Sequence, residues 1–183
     1  KKLNEINVGI AVSTFTESNT EDKRYEIIKK SLDSLQEIIN KTKINTYVVI
    51  VVDGQVPLKH LNIIDKYNFT IFMKDYNGGV ARAKNTSIKL LLEKNIDIGF
   101  LADDDVLYKE GCLEEYCSTI LNGKIHHIGY CQMHPLVHPK NEWKKMGYIE
   151  TVYNEQKIMK HGGGGVGCWL SFTPELIKKI GYF

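Results

Sequence analysis

Three consecutive aspartates, Asp103-Asp104-Asp105, follow the apolar run Ile96 to Leu101 with only Ala102 between. Like charges a few ångströms apart repel and raise one another's pKa unless a cation neutralises them. A hard divalent ion such as Mn2+ or Mg2+ prefers carboxylate oxygens, and often takes one or two of them together with substrate phosphates. Two other apolar runs also end in polar residues: Val8 to Val12 stops at Ser13-Thr14, and Tyr47 to Val52 stops at Asp53-Gly54. Asp53 at a strand end could accept a hydrogen bond from a nucleobase N–H, although Asp-Gly is also an ordinary turn. Tyr76 to Asn85 combines an Asn-Gly-Gly turn, a helix start and the cations Arg82 and Lys84, a set whose backbone N–H groups and side chains suit a diphosphate. Cys131, His134 and His138 have the spacing of part of a zinc site, but Pro135 and Pro139 make the segment read as a surface loop.

Such groups need a scaffold, and the patterning supplies one. Val8 to Val12, Tyr47 to Val52, Phe69 to Met73 and Ile96 to Leu101 are too short for helices and read as buried strands. From about Thr20 to Asn40, Tyr25, Ile28, Leu32, Leu35 and Ile39 recur at helical spacing. Helices are also expected from Val80 to about Lys94 and around Leu113 to Ile120. The order β-α-β-β-α-β-α predicts an α/β fold with a mostly parallel sheet flanked by helices. In such sheets ligands bind beyond the carboxyl ends of the strands, which puts Ser13-Thr14, Asp53 and the acid triplet on one rim. After residue 120 the pattern is less regular, with short strands expected near Ile125–Tyr130 and Gly147–Tyr153. A last helix follows Thr173-Pro174, with Gly181 as its stop.

The 183 residues suit one domain with a sizeable core. With 24 Lys+Arg against 22 Asp+Glu, the net charge of +2 gives no field that would make nucleic acid the default partner. The four cysteines are too few and too irregular for a disulfide framework and are expected as reduced thiols. No apolar run reaches the ~20 residues of a membrane span and no signal peptide is recognisable, so a cytoplasmic location is expected. A dinucleotide G-x-G-x-x-G after the first strand and a phosphate-loop motif are both missing, which disfavours a dehydrogenase and a P-loop ATPase.

In order along the chain stand Val8–Phe15, Val48–Gly54 (VVIVVDG), Asn77–Asn85 (NGGVARAKN), Gly99–Leu107 (GFLADDDVL) and Leu176–Phe183 (LIKKIGYF). That series resembles the GT-A-fold, family-2-like inverting glycosyltransferases over nearly the whole chain. The resemblance implies a single Rossmann-like GT-A domain, with about 1–107 as the donor half and about 108–183 as the acceptor-side half. It implies metal-dependent sugar transfer, with inversion, from a nucleotide-diphospho-sugar to a hydroxyl of a carbohydrate or glycan acceptor, with Mn2+ or Mg2+ as cofactor. Thr14 and Phe15 would line the base pocket, Asp53 would pair with the base, and Arg82 and Asn85 would help hold the nucleotide. Asp103 and Asp104 would contact the donor, and Asp105 or Asp104 the metal, with Asp105 favoured and His161 as a further candidate. Gly164, Gly165 and Trp169 would form the acceptor side, where a glycine backbone approaches a sugar and an indole face stacks on it.

The sequence departs from the family pattern at Ala102, where many members carry the first Asp, while Asp103-Asp104-Asp105 still satisfies D-x-D. The family's catalytic base tends to follow the helix end that Phe183 reaches, so the base is expected beyond Phe183 and the chain is expected to be a truncated form. A non-catalytic nucleotide-sugar-binding module is the alternative on the same fold. Another phosphotransfer or nucleotidyl-transfer enzyme using the triplet for Mg2+ is a third reading.

Overall fold

The computed structural model describes residues 1–130, 145, 148–161 and 166–183. Strand β1 (Asn7–Thr14) leads through helix α1 (Asp22–Lys41) to β2 (Asn45–Val52), then through α2 (Leu58–Ile64) to β3 (Thr70–Met73). Helix α3 (Val80–Leu92) returns the chain to β4 (Ile98–Asp103). The second part holds α4 (Cys112–Gly123), β5 (Gly129–Tyr130), β6 (Tyr148–Tyr153), β7 (Gln156–His161), β8 (Val166–Phe172) and α5 (Pro174–Ile180).

The main sheet has the order β3-β2-β1-β4-β8-β5. The strands β1 to β4 are mutually parallel, and β8 runs antiparallel to β4. The chain thus moves outward from β1 through β2 to β3, then crosses back to lay β4 on the other side of β1. That reversal between β1 and β4 is where an open α/β sheet forms its ligand crevice.

Period-two alternation divides the strands between two cores. Val8, Ile10, Val12, Val48, Ile50, Val52, Ile98 and Phe100 face α1, α2 and α4, where Ile28, Leu32, Leu35, Ile64, Leu113 and Ile120 cover them. Ala11, Val49, Val51, Leu101, Leu170 and Phe172 face Ile88 and Leu91 of α3. Each fully buried Leu or Ile contributes about 1.5–3 kcal/mol, so both faces hold the sheet. Gly99 is required by packing, since a Cβ there would lie 2.2 Å from the Phe172 ring.

The expected strands and helices of the first 120 residues are present, with one addition. Helix α2 lies between β2 and β3, where the sequence pattern predicts two strands in succession; parallel neighbours need a crossover connection, and α2 supplies it. In the second part, β6 pairs with β7 as a separate two-stranded hairpin turned at Asn154 and Glu155, both at positive φ (44° and 69°). The expected strand near residues 125–130 reduces to Gly129–Tyr130, and β7 and β8 were not foreseen. Helix α5 starts as its sequence predicts: the Thr173 side chain accepts from Leu176 N–H, Pro174 opens the helix, and Gly181 closes it at φ 82°. No helix among the described residues is long and apolar enough to cross a membrane.

Candidate active site

The carboxyl ends of the four parallel strands meet side by side. Asp53 N–H donates to the Thr14 carbonyl at 3.0 Å, and Lys74 N–H to the Val52 carbonyl at 3.0 Å. Ser13 of β1 is in register with Asp103 of β4. The rim therefore runs Lys74, Asp53, Thr14, Asp103 across β3, β2, β1 and β4.

At the end of β4 the acid triplet divides by side. Asp105 is exposed, and the Asp103 side chain, 38% exposed, accepts from Lys84 Nζ at 2.8 Å. Asp104 between them is 4% exposed. Its Oδ1 is paired with Arg24 Nη2 and its Oδ2 accepts from the Thr14 hydroxyl. Both carboxylate oxygens of Asp104, expected at the donor or metal, are thus engaged by Arg24 and Thr14. The alternation of β4 continues past its last residue and turns the middle aspartate inward. Burial pushes its carboxyl above the usual range, while Arg24 and Thr14 pull the other way.

Behind Thr14 the polar contacts continue. Thr14 Oγ1 lies 3.1 Å from His60 Nε2, and His60 Nδ1 lies 2.9 Å from Thr16 Oγ1. Thr14 and Thr16 are each 3% exposed and His60 is 0% exposed. Burial and the nearby Arg24 charge lower the His60 pKa to about 4, so the ring is neutral near pH 7. Thr14 has one hydroxyl proton and gives it to Asp104, so it accepts from His60 Nε2–H. Nδ1 must then accept from the Thr16 hydroxyl.

Asp53, 5% exposed, is also engaged: its Oδ1 accepts from Lys74 Nζ and from Gly78 N–H at 3.1 Å. It thus ties β2 to the Asn77-Gly78 turn at the entrance to α3. Gly54, at φ +106°, lets that turn come close, since a Cβ there would stand 2.5 Å from Asn77 N. Phe15, half-buried, lies just past the end of β1 between Thr14 and Thr16. Arg82 is exposed in the first turn of α3 and donates to Tyr76 Oη at 3.3 Å. That helix begins at Gly79 with no side chain capping its first N–H groups.

Two expected site residues are engaged elsewhere. The Asn85 amide clamps the main chain of Phe183, donating to its carbonyl and accepting from its N–H at 2.9 Å each. Trp169, expected to stack on an acceptor sugar, is 4% exposed; it stacks on Phe100 with centroids 4.4 Å apart and meets Tyr108 and Tyr116 edge-on. Its ring belongs to the core beneath the acid turn because β8 places it beside Ala102. Gly164, Gly165 and the segment Cys131 to His138 lie outside the described residues, and so does the side chain of His161, whose backbone ends β7. Cys112, Cys117 and Cys168 are free thiols.

No group of three or more His, Cys, Asp or Glu side chains that could hold a metal occurs among the described residues. Asp103 and Asp105 nonetheless fit a hard divalent cation shared with a ligand's phosphates, which needs only one or two protein carboxylates. Sequence reasoning did not find Arg24, Thr16, His60 or Lys74. Only His60 carried a signal, as it shares the inward face of α2 with Ile64 at i,i+4 spacing.

No family model matches the chain. It is 43% identical over 181 residues to an uncharacterized glycosyltransferase of Acanthamoeba polyphaga mimivirus, covering 97% of this chain and 66% of that protein. Among solved structures, residues 1–349 of S. aureus TarS in complex with UDP-GlcNAc superpose with a TM-score of 0.64 at 17% identity, covering 97% of this chain and 48% of that one. A 4-diphosphocytidyl-2C-methyl-D-erythritol synthase of Anaerococcus prevotii superposes with a TM-score of 0.51 at 9% identity, covering 97% and 74%. The structural likenesses carry the fold, a mostly parallel sheet flanked by helices, and the mimivirus relative carries the family: this chain belongs to the glycosyltransferases with a GT-A-like fold.

Proposed function

We propose that the rim at β1, β2 and β4 binds a nucleotide-diphospho-sugar together with Mn2+ or Mg2+, and that the protein transfers the sugar to a carbohydrate hydroxyl with inversion. The observation that carries this reading is the split of the acid triplet: Asp104 is locked inward, while Asp103 and exposed Asp105 remain on the open side of the strand-order reversal. Lys84 places a positive charge against Asp103, and the first turn of α3 offers N–H groups and Arg82 to a diphosphate. Asp53 and Lys74 fix the turn that delivers them. When bound, the cation would stabilise charge building on the departing diphosphate.

Transfer is a single displacement. The acceptor oxygen forms the new glycosidic bond as the bond from the anomeric carbon to the diphosphate oxygen breaks. A general base takes the hydroxyl proton, and the nucleoside diphosphate leaves. TarS was solved with UDP-GlcNAc, so UDP is the first nucleotide to test. UDP with Mn2+ should raise the melting temperature of the native chain, because a ligand of the folded state stabilises it. Asp105→Asn should weaken the Mn2+-dependent affinity by about tenfold or more, ~1.4 kcal/mol. Equal affinity with and without Mn2+ would remove the metal role. Release of UDP from UDP-sugar and acceptor separates transfer from binding alone.

A further inference from the structure

Beneath the acid turn a hydrogen-bonded series runs Thr16, His60, Thr14, Asp104, Arg24. It joins the end of β1, the second residue past it, α2, the acid turn and the first turn of α1. Thr14, Thr16, His60 and Asp104 are each 5% exposed or less, so this is interior wiring and not a surface cluster. Yet it passes through the residue between Asp103 and Asp105. Its direction is set at Asp104, whose Oδ2 accepts the Thr14 proton. Thr14 then accepts from Nε2–H, and Nδ1 accepts from the Thr16 hydroxyl.

We propose that His60 is a positioning residue for the donor site: by fixing Thr14, it holds the inward Asp104 and so sets the spacing of Asp103 and Asp105. This rests on the reading of the rim as a donor site. Remove the imidazole and the Thr14 hydroxyl loses the N–H that orients it, so its bond to Asp104 is no longer held in one direction. The acid turn can then rotate at its middle residue. A glutamine at 60 keeps one amide donor and one acceptor, as a neutral imidazole does, whereas leucine keeps neither.

The test measures binding of UDP with Mn2+, and of Mn2+ alone, together with melting temperature. It compares the native chain with His60→Leu, His60→Gln, Thr16→Val and the remote core variant Leu35→Ala. His60→Leu should weaken Mn2+-dependent UDP binding about tenfold, and His60→Gln should return it to within about threefold of native. Leu35→Ala should lower the melting temperature and bind as native does. Native affinity in His60→Leu, no recovery in His60→Gln, or an equal loss in Leu35→Ala would overturn the inference. If His60→Leu does not fold, Thr16→Val decides: about threefold weakening supports the relay and native affinity refutes it. If the native chain binds neither ligand, the donor-site reading falls and the inference with it. If the native chain binds and the variants match it, the inference alone falls.

Discussion

His60 is buried without a carboxylate among its hydrogen-bond partners, and its pKa falls from 6.5 to about 4. Between those values the unfolded chain takes a proton that the folded chain refuses. The stability owed to neutral His60 is therefore whole above about pH 6.5 and drains away toward pH 4, by about 3 kcal/mol in all. Asp104, with its pKa raised, acts oppositely and gains folded-state stability on the acid side. Urea titrations of the native chain and His60→Leu from pH 7 to 4.5 should diverge, the native chain losing more; parallel curves would contradict the assignment. Lys74 faces the same kind of audit. Its side chain is 12% exposed and that of Asp53 is 7% exposed. Lys74→Met should cost about 3–5 kcal/mol by leaving a buried charge unpaired, read as a lower urea midpoint at unchanged slope. At this scale the sequence exposed the rim residues but not their bonds. Arg24 sits in the charged stretch Asp22-Lys23-Arg24 and looked solvated, and nothing local distinguishes an inward from an outward aspartate within three identical ones.

Elements with one strong period were legible. The strands β1, β2 and β4 carry near-continuous apolar runs, and α1 and α3 show inward residues at three- and four-residue steps. Helix α2 escaped because it has only seven residues and follows Pro57 with Leu58 and Lys59 both exposed. Strand β8 escaped because its inward pattern, Trp169 to one core and Leu170 with Phe172 to the other, has no polar face to mark it. Its seating on β4 depends on the missing side chain at Gly99. Gly99→Ala should destabilise by about 1–3 kcal/mol, since the Phe172 ring must shift to admit a methyl group. Adding Phe172→Leu should relieve part of that cost; strictly additive losses in a double-mutant cycle would show that the two do not meet.

On the scale of the whole molecule, the residues before and after α4 share one sheet. Residues 166–172 come late in the chain, yet they form the strand bonded to β4, with Ala102 opposite Trp169 and Gly99 opposite Phe172. Cutting the chain after α4 would strip that flank and bare the outer N–H and C=O groups of β4. A naked sheet margin of this kind recruits whatever strand is nearest, often one from another copy. A fragment of residues 1–124 should therefore elute as oligomers in size-exclusion chromatography under conditions that keep the 183-residue chain monodisperse. The rim at β1, β2 and β4 is thus flanked by a strand drawn from residues 166–172, and an engineer exchanging the residues after α4 must supply a strand in that place.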